Sequence, residues 1–320
     1  MIRDLENKIL SGEGISVDDA SFISKVSSNE VFDLFCSANR IRNHFRKERV
    51  DLCAIINAKS GACPEDCSYC AQSSRSHAEI KTYSLVGKNI ISEKAQEAKQ
   101  GGAKRFCIVT SGKKASKTDL VKIAEMIAGV RSLGLLPCAT LGLLSEEELL
   151  PLKEAGLERY HHNLETSERF FSEICTTHTY QDKIQTMLGV KSAGLSLCSG
   201  GIFGLGETWE DRIDMAFALK EIGPDSIPVN FLTPIKGTRH GLQKPLDPIE
   251  ALKIISLYRF ILPEKEIRVC GGRMQILGEF NSFVFFAGAD GLLVGNYLTT
   301  PGRKFEDDLM LIRRYGLKTD

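Results

Sequence analysis

The sequence predicts a single (β/α)8 barrel of the TIM type with an N-terminal helical extension. Eight short apolar segments alternate with amphipathic segments, no Pro-rich or Ser-rich linker divides the 320 residues, and the length suits a barrel of roughly 250 residues plus an extension. A doubly wound open sheet is the alternative, but it would usually carry a glycine-rich turn after its first strand, where this chain has cysteines. We therefore expect an extension at 1–49, a barrel at 50–300 and a C-terminal tail or helix at 301–320.

Each predicted strand is a short apolar run. The eight strands are expected at Val50–Ile56, Arg105–Thr110, Leu136–Leu141, Leu157–Leu164, Leu195–Phe203, Ser226–Leu232, Glu266–Cys270 and Gly291–Val294. The helices are expected at Ser92–Gln100, Thr118–Leu133, Ser145–Ala155, Tyr180–Ala193, Glu207–Ile222 and Asp247–Leu262. Five of them end directly before a glycine and the last ends before Pro263, which are helix stop signals. Because helices separate most of the strands, the sheet should be parallel.

Charge and composition narrow the function classes. Lys plus Arg and Asp plus Glu both number 41, so the formal net charge is zero and a nucleic-acid partner is not expected. No apolar run reaches the ~18 residues of a membrane span, and the first twenty residues lack an export signal. We expect a cytoplasmic protein whose ten cysteines are reduced, which favours metal or redox chemistry over disulfides.

Three cysteines follow the first predicted strand in a C-x3-C-x2-C pattern: Cys63, Cys67 and Cys70. Three thiolates on one loop can hold three corners of a cubic iron–sulfur cluster and leave one iron open. A zinc site would normally need a fourth protein ligand, for which His77 is the local candidate, and free loop thiols are the third interpretation. Loops after barrel strands lie at the catalytic face, which favours the cluster.

The cysteine pattern, with an aromatic residue before its last cysteine, resembles the signature of the radical S-adenosylmethionine (SAM) superfamily. From about Asp51 to Pro301 the chain is similar to the biotin synthase family. The segments that carry this resemblance are Gly61–Gln72, Arg105–Cys107, Cys138–Gly142, Tyr160–Ser167, Cys175–Tyr180, Cys198–Glu207, Pro228–Leu232, Lys236–Thr238 and Leu298–Pro301.

The resemblance implies a transferase of biotin biosynthesis with two iron–sulfur clusters. A [4Fe-4S] cluster on the three loop cysteines would bind SAM at its open iron and generate a 5′-deoxyadenosyl radical, which removes hydrogen from dethiobiotin. An auxiliary [2Fe-2S] cluster would supply the sulfur. The implied auxiliary ligands are Cys107, Cys138, Cys198 and Arg268.

These four residues fall within four predicted strands, so inward orientation would gather them at one interior site. Cys270 lies two residues after Arg268 and shares its face of the strand. It is either a spectator or a further ligand, in which case the auxiliary cluster would be a four-iron variant. Cys36, Cys53 and Cys175 are expected to be packing residues.

The resemblance also implies residues for the organic ligands. The SAM-binding residues would be Tyr69, Asn163, Glu165, Lys183, Gly200 and Gly201, and the dethiobiotin-binding residues His161, Asn163, Asn230, Thr299 and Thr300. Three of them depart from the more usual family residues, since His161 stands for Asn, Glu165 for Asp and Lys183 for Arg. A carboxylate at 165 can accept both ribose hydroxyl protons, whereas Lys183 loses the bidentate contact of an Arg.

Two other functions compete with this interpretation. One is another radical SAM enzyme, such as a hydrogenase or cofactor maturase, and the other is a zinc-stabilised barrel that only binds a partner. If the resemblance holds, the implied partners are an electron donor such as flavodoxin or ferredoxin and a second copy in a homodimer.

Overall fold

The structure is a computed structural model that describes residues 1–300 and 302–319, and it contains the closed eight-stranded parallel barrel that the sequence predicts. Pro301, the last residue of the segment that resembles biotin synthases, lies outside the described residues. The strands are β1 (Arg49–Lys59), β2 (Arg105–Thr110), β3 (Leu136–Thr140), β4 (Arg159–His161), β5 (Ser196–Cys198), β6 (Gly201–Phe203), β7 (Ser226–Phe231), β8 (Glu266–Val269), β9 (Gly291–Leu293) and β10 (Lys318–Thr319).

Strand β1 closes the barrel because it pairs in parallel with both β2 and β9. The other barrel neighbours follow chain order, except that β5 pairs with β7 while the short β6 also pairs with β7. The two-residue β10 adds to the start of β1. All carboxyl ends of the barrel strands therefore lie at one face, where the loops that follow them meet.

The helices are α1 (Ile2–Leu10), α2 (Val17–Ser24), α3 (Val31–Arg46), α4 (Lys88–Gln100), α5 (Lys117–Ser132), α6 (Glu146–Glu154), α7 (Glu168–Ile174), α8 (Tyr180–Ser192), α9 (Trp209–Ile222), α10 (Pro248–Ile261), α11 (Arg273–Leu277) and α12 (Phe305–Arg314). Helix α6 begins with a capping box at Ser145, because the Glu148 amide donates to the Ser145 hydroxyl and the Glu148 carboxylate accepts from the Ser145 amide. The N-terminal helices lie outside the barrel, where α3 packs on α10 and α2 on both α9 and α10.

Two predicted strands are shorter than expected. The segment 157–164 contains only the three residues of β4, and the segment 195–203 divides into β5 and β6. At the division, the amide of Gly200 donates to the side chain of Asn163 (3.1 Å) instead of to a strand carbonyl. A side chain at Gly200 would also lie 2.1 Å from the carbonyl oxygen of Pro228, so only glycine fits this approach.

The apolar core fills the space between strands and helices, with Phe106, Tyr160 and Phe203 fully buried in it. Within residues 1–300 and 302–319, no helix has both the length and the apolar character required to cross a bilayer. The inner face of the strands is different, because polar and sulfur-containing side chains line a cavity there.

Candidate active site

A cavity of about 360 Å³ opens at the carboxyl ends of the barrel strands and reaches into the barrel. Most of the residues that the sequence analysis singled out line it: Tyr69, Cys70, Cys107, Cys138, His161, Asn163, Glu165, Cys198, Asn230, Arg268, Cys270, Thr299 and Thr300. Cys63, Cys67, Lys183, Gly200 and Gly201 do not line it. Every barrel strand contributes at least one side chain to the lining of this cavity. Such an extended lining suits a site for more than one ligand.

The cysteine loop lies at the mouth of this cavity. Gly61 and Ala62 both have positive φ values, 72° and 49°, which turn the chain sharply after β1. The amide of Cys63 donates to the carbonyl of Gln72 (3.1 Å) and that of Cys70 to the carbonyl of Cys67 (3.0 Å), so the loop folds back on itself. Burial raises the pKa of Cys70 to about 11. The loop therefore holds the three cysteines on one fixed stretch of backbone at the mouth of the cavity.

Beside the loop, the residues after β4 form a connected polar group. The Asn163 amide donates to the Glu165 carboxylate (3.2 Å), and the ammonium of Lys183 lies 4.0 Å from the other Glu165 oxygen. Lys183 is buried rather than exposed on its helix. Glu165 has φ 77°, an unusual value for a residue with a side chain. The strained backbone aims the carboxylate into the cavity, where it can accept hydroxyl groups of a ligand.

The two glycines assigned to SAM are required by packing. A side chain at Gly201 would lie 2.5 Å from the carbonyl oxygen of Glu165, and the corresponding contact of Gly200 is with Pro228. Their glycine identity is therefore explained within the barrel, without close approach of a ligand.

Deeper in the barrel, five thiols line the cavity: Cys53, Cys107, Cys138, Cys198 and Cys270. Cys107 and Cys138 are register partners on β2 and β3, and Cys198 lies opposite His161 with 3.3 Å between its sulfur and Nδ1. Burial raises the pKa of Cys198 to about 11 and that of Cys270 to about 12. Burial also lowers the pKa of His161 to about 4, so its imidazole is neutral. A neutral thiol becomes a metal ligand when the metal displaces its proton, and a neutral imidazole binds a metal through its unprotonated nitrogen.

Cys53 is buried in an apolar cluster with the interior thiols, as expected for a packing residue, and it also lines the cavity. Its thiol lowers the pKa of the neighbouring Cys138 to about 7 despite burial. The alternation of side chains along β1 could have indicated that Cys53 lines the cavity, because Cys53 and Ile55 lie on the same face of the strand and Ile55 is also a cavity residue. Which face of β1 points inward, however, depends on the register with β2 and β9.

Arg268 is buried beneath these thiols and is held by two carboxylates. Its Nη2 donates to Asp51 (2.5 Å) and to Glu266, while Arg105 also donates to Asp51 (3.1 Å) and Arg159 to Glu266 (3.3 Å). Burial opposes the charge of Arg268, but Glu266 and Asp51 outweigh it and keep its pKa above the usual range. Three guanidinium groups thus face two carboxylates, which leaves an excess of positive charge below the thiols.

Two buried donors in this layer have no partner among the described residues, Nη1 of Arg268 and Nη1 of Arg105. A buried N–H without an acceptor is costly, and an anion in the cavity would satisfy it. The donors and the five thiols above them fit an anionic, sulfur-rich group such as an iron–sulfur cluster. The residues present are therefore suited to the auxiliary cluster that the sequence resemblance implies.

The residues assigned to dethiobiotin lie at the same cavity. The Asn230 side chain is fixed at both ends, because its amide donates to the carbonyl of Gly201 (3.2 Å) and its oxygen accepts from the amide of Gly271 (3.0 Å). Thr299 and Thr300 belong to a turn in which the Tyr297 amide donates to the Thr300 carbonyl (3.0 Å). One cavity is thus lined by Asn163, Asn230 and Thr299, to which the resemblance assigns the organic ligands, and by the interior thiols.

Cys175 is a buried core residue, as expected for a packing role, and it also contacts polar groups of the cysteine loop. Its sulfur lies 3.9 Å from that of Cys67 and 3.3 Å from Nδ1 of His178. The nearby Asp66 and Glu65 of the cysteine loop complete a polar cluster. The segment Cys175–Tyr180 carries part of the family resemblance, but nothing in its residue spacing indicated that it contacts the cysteine loop.

Comparisons with known proteins show which family and fold the chain resembles. The family model of the Radical SAM superfamily matches residues 58–219, and that of the Biotin and Thiamin Synthesis associated domain matches residues 228–318. Among solved structures, the fold is similar to methylornithine synthase (PylB), with a TM-score of 0.87 and 21% identity over 99% of this chain and 97% of that one. It is also similar to HydG, a maturase of the [FeFe]-hydrogenase, with a TM-score of 0.85 and 16% identity over 100% of this chain and 76% of that one. At these identities the likeness shows the fold alone.

The curated relatives are much more similar in sequence. A biotin synthase of Thermodesulfovibrio yellowstonii is 53% identical over 94% of this chain and 95% of its own length. A biotin synthase of Geobacter metallireducens is 45% identical over 98% of this chain and 95% of its own length. The alternative of a hydrogenase or cofactor maturase is not favoured by these relatives. The chain belongs to the biotin synthase family of radical SAM enzymes.

Proposed function

We propose that this chain inserts sulfur into dethiobiotin to make biotin, with a [4Fe-4S] cluster at the mouth of the barrel and an auxiliary cluster inside it. The observation that carries the proposal is the layer of five interior thiols above two guanidinium donors that have no partner in residues 1–300 and 302–319. A packed barrel interior is normally filled by branched apolar side chains. A polar, sulfur-lined interior is costly to fold and is explained by a group that binds there.

At the mouth, Cys63, Cys67 and Cys70 would hold the [4Fe-4S] cluster. SAM would bind beside it, in contact with Tyr69, Asn163 and Glu165. Glu165 is suited to the ribose hydroxyls because its strained backbone points the carboxylate into the cavity. Lys183 would supply positive charge to the carboxylate of SAM from behind Glu165, while Gly200 and Gly201 bring their strand close to this layer.

Inside the barrel, Cys107, Cys138 and Cys198 would hold the auxiliary cluster, and Arg268 and Cys270 are the candidates for the fourth position. The contacts favour Cys270. A guanidinium that donates to two carboxylates is charged and offers no lone pair to iron, whereas a thiolate is a good iron ligand. We therefore assign Arg268 as a hydrogen-bond donor to the cluster and favour the four-iron variant over the [2Fe-2S] form.

Dethiobiotin would lie between the two clusters. Asn230 would pair with its ureido group, since an amide offers both a donor and an acceptor, and Asn163 and His161 would contact it from β4 and the loop that follows. The turn at Thr299 and Thr300 would bind its carboxylate through backbone N–H groups. When bound, the clusters and SAM supply the radical and the sulfur. The chain's own residues fix the ligands and exclude water from the space between them.

We further propose a flavodoxin or ferredoxin as the electron donor, a homodimer as the assembly and the cytoplasm as the location. The family resemblance supports these assignments, and the ten unpaired cysteines are in keeping with a reducing compartment.

Anaerobic reconstitution with iron and sulfide tests the proposal. The expected result is biotin formation that requires both SAM and dethiobiotin, with SAM cleaved only when dethiobiotin is present. Cys63→Ala should abolish SAM cleavage, while Cys107→Ala should stop sulfur insertion and keep the [4Fe-4S] signal in electron paramagnetic resonance (EPR). Cys36→Ala is the matched control, because Cys36 is exposed. Biotin formation by Cys107→Ala at the wild-type rate would exclude the interior thiols as the sulfur site.

A further inference from the structure

The sulfur and nitrogen atoms around Cys175 form a second group of metal-binding atoms outside the cavity. One ligand atom each from Cys67, Cys175 and His178 lie within 4.8 Å of one another. Cys175 is buried, and the His178 and Glu65 side chains are each 8% exposed. The proposed cluster chemistry uses only Cys67 of these residues, so Cys175 and His178 need a separate explanation.

The distances match tetrahedral coordination of a single ion. Two sulfur ligands about 2.3 Å from zinc lie about 3.8 Å apart, and sulfur and nitrogen ligands about 3.5 Å apart. The sulfur atoms of Cys67 and Cys175 are 3.9 Å apart. The sulfur of Cys175 lies 3.3 Å from Nδ1 and 3.8 Å from Nε2 of His178. The two sulfur atoms are therefore spaced for one ion, and a turn of the His178 ring about its side-chain bonds would bring one of its nitrogens to the third position.

Glu65 provides the usual outer partner of a metal-bound histidine. Its carboxylate contacts Nδ1 of His178, so Nε2, 3.8 Å from the sulfur of Cys175, is the nitrogen left to bind an ion once the ring turns toward it. A carboxylate that accepts the second ring N–H fixes the tautomer and orientation of a metal-bound imidazole.

The segment that carries these ligands is fixed to the cysteine loop. The Asp66 carboxylate accepts from the amides of Thr176 (2.9 Å) and Thr177 (3.2 Å), and the Ser68 amide donates to the carbonyl of Ile174 (2.8 Å). The hydroxyl of Thr177 also donates to Glu65 (2.8 Å). The ligand atoms are thus held in place by hydrogen bonds that involve neither sulfur.

We propose that Cys67, Cys175 and His178 form a mononuclear site for a divalent ion of the zinc class in the chain before its [4Fe-4S] cluster is loaded. Two thiolates and an imidazole favour Zn²⁺ over Fe²⁺. The inference rests on the proposed role of Cys67 as a cluster ligand, because the ion and the cluster then compete for this one thiolate. Occupation of the site by Zn²⁺ blocks loading of the cluster.

The experiment uses the full chain, purified anaerobically without clusters and titrated with Co²⁺ as a spectroscopic probe. Tetrahedral thiolate coordination gives strong sulfur-to-cobalt and ligand-field bands. Cys175→Ala and His178→Gln are each expected to lose one equivalent of bound Co²⁺, and Glu65→Gln to weaken that equivalent about 10- to 100-fold. Cys36→Ala is the control, and Cys107→Ala should keep this equivalent, which separates it from cobalt bound by the interior thiols.

A second measurement follows cluster loading itself. One equivalent of Zn²⁺ should lower the yield of [4Fe-4S] cluster, measured by EPR and iron analysis, in the wild type and not in Cys175→Ala. Circular dichroism is used to check that each variant is folded. Unchanged Co²⁺ stoichiometry and spectra in folded Cys175→Ala and His178→Gln would overturn the metal site. By contrast, a normal [4Fe-4S] signal in Cys67→Ala would overturn the proposed cluster ligand and leave the cobalt result standing.

Discussion

Arg268 is a buried residue whose contacts favour a role as hydrogen-bond donor over the role of cluster ligand that the sequence resemblance implies. The resemblance to the biotin synthase family implies that Arg268 is a ligand of the auxiliary cluster. In the structure its Nη2 donates to Asp51 and Glu266, and its Nη1 is free to donate to a bound anion. The neighbouring thiol of Cys270 is the better electron-pair donor.

Substitution of each residue separates the two roles. Cys270→Ala should lose the auxiliary cluster, and with it most of the iron beyond that of the [4Fe-4S] cluster. Arg268→Ala should keep that iron but lower the free energy of unfolding by about 3–5 kcal/mol, because Asp51 and Glu266 each lose a buried partner. Iron and sulfide analysis with EPR and urea unfolding measure both effects. Retention of the auxiliary cluster in Cys270→Ala with its loss in Arg268→Ala would restore the three-cysteine, one-arginine site.

Asn230 is the residue for which substrate binding can be tested most simply. Its side chain is already oriented by Gly201 and Gly271, so a urea group meets a fixed donor and acceptor. Asn230→Ala removes hydrogen bonds worth about 1–1.5 kcal/mol each and should raise the KM for dethiobiotin about 10-fold or more. The KM for SAM should stay unchanged. Equal increases in both KM values would indicate a general disturbance of the barrel instead.

At the scale of elements, the sequence predicts the barrel well because its strands are short apolar runs between clear helix stops. The predictions fail where the local pattern does not decide the structure. The strand predicted at 195–203 divides at Gly200, since the Asn163 side chain takes the place of a strand partner. The inward orientation of Cys53 depends on register with distant strands, and the contact of Cys175 with Cys67 joins residues 108 positions apart. Such contacts leave no local signal.

Helix α12 gives a prediction at this scale. The pair between Arg273 of α11 and Asp308 of α12 has no exposed side-chain surface, and Asp308 also accepts from Arg303 (3.1 Å). Asp308→Asn should therefore lower the free energy of unfolding by about 3–5 kcal/mol, since a buried guanidinium loses its counter-charge. Urea unfolding monitored by circular dichroism measures the loss. Lys318→Ala breaks a fully exposed pair with Glu48 and should leave the unfolding midpoint unchanged. Similar midpoint shifts in the two variants would contradict the importance of burial.

At the scale of the whole molecule, the polar interior makes folding sensitive to acid. Burial lowers the pKa of His161 to about 4 and that of the adjacent His162 well below its usual value. In the unfolded chain both would titrate near 6.5. Because their folded pKa values are depressed, the unfolded state binds more protons below about pH 6.5. Stability is therefore complete above that pH and is lost as the pH falls toward 4.

The prediction is that the cluster-free chain loses stability between pH 6.5 and pH 4.5, and that His162→Gln makes this loss smaller. His162 is the better test, because it points away from the cavity and its Nε2 has no partner among the described residues. Carboxylates act in a different pH range: the pKa of Asp211 is lowered to about 2, its hydrogen bonds overcoming burial, so its contribution is lost only below about pH 4. Urea unfolding at half-unit pH intervals separates the two ranges. An unfolding midpoint that falls as steeply in His162→Gln as in the wild type would assign the acid sensitivity to groups other than this histidine.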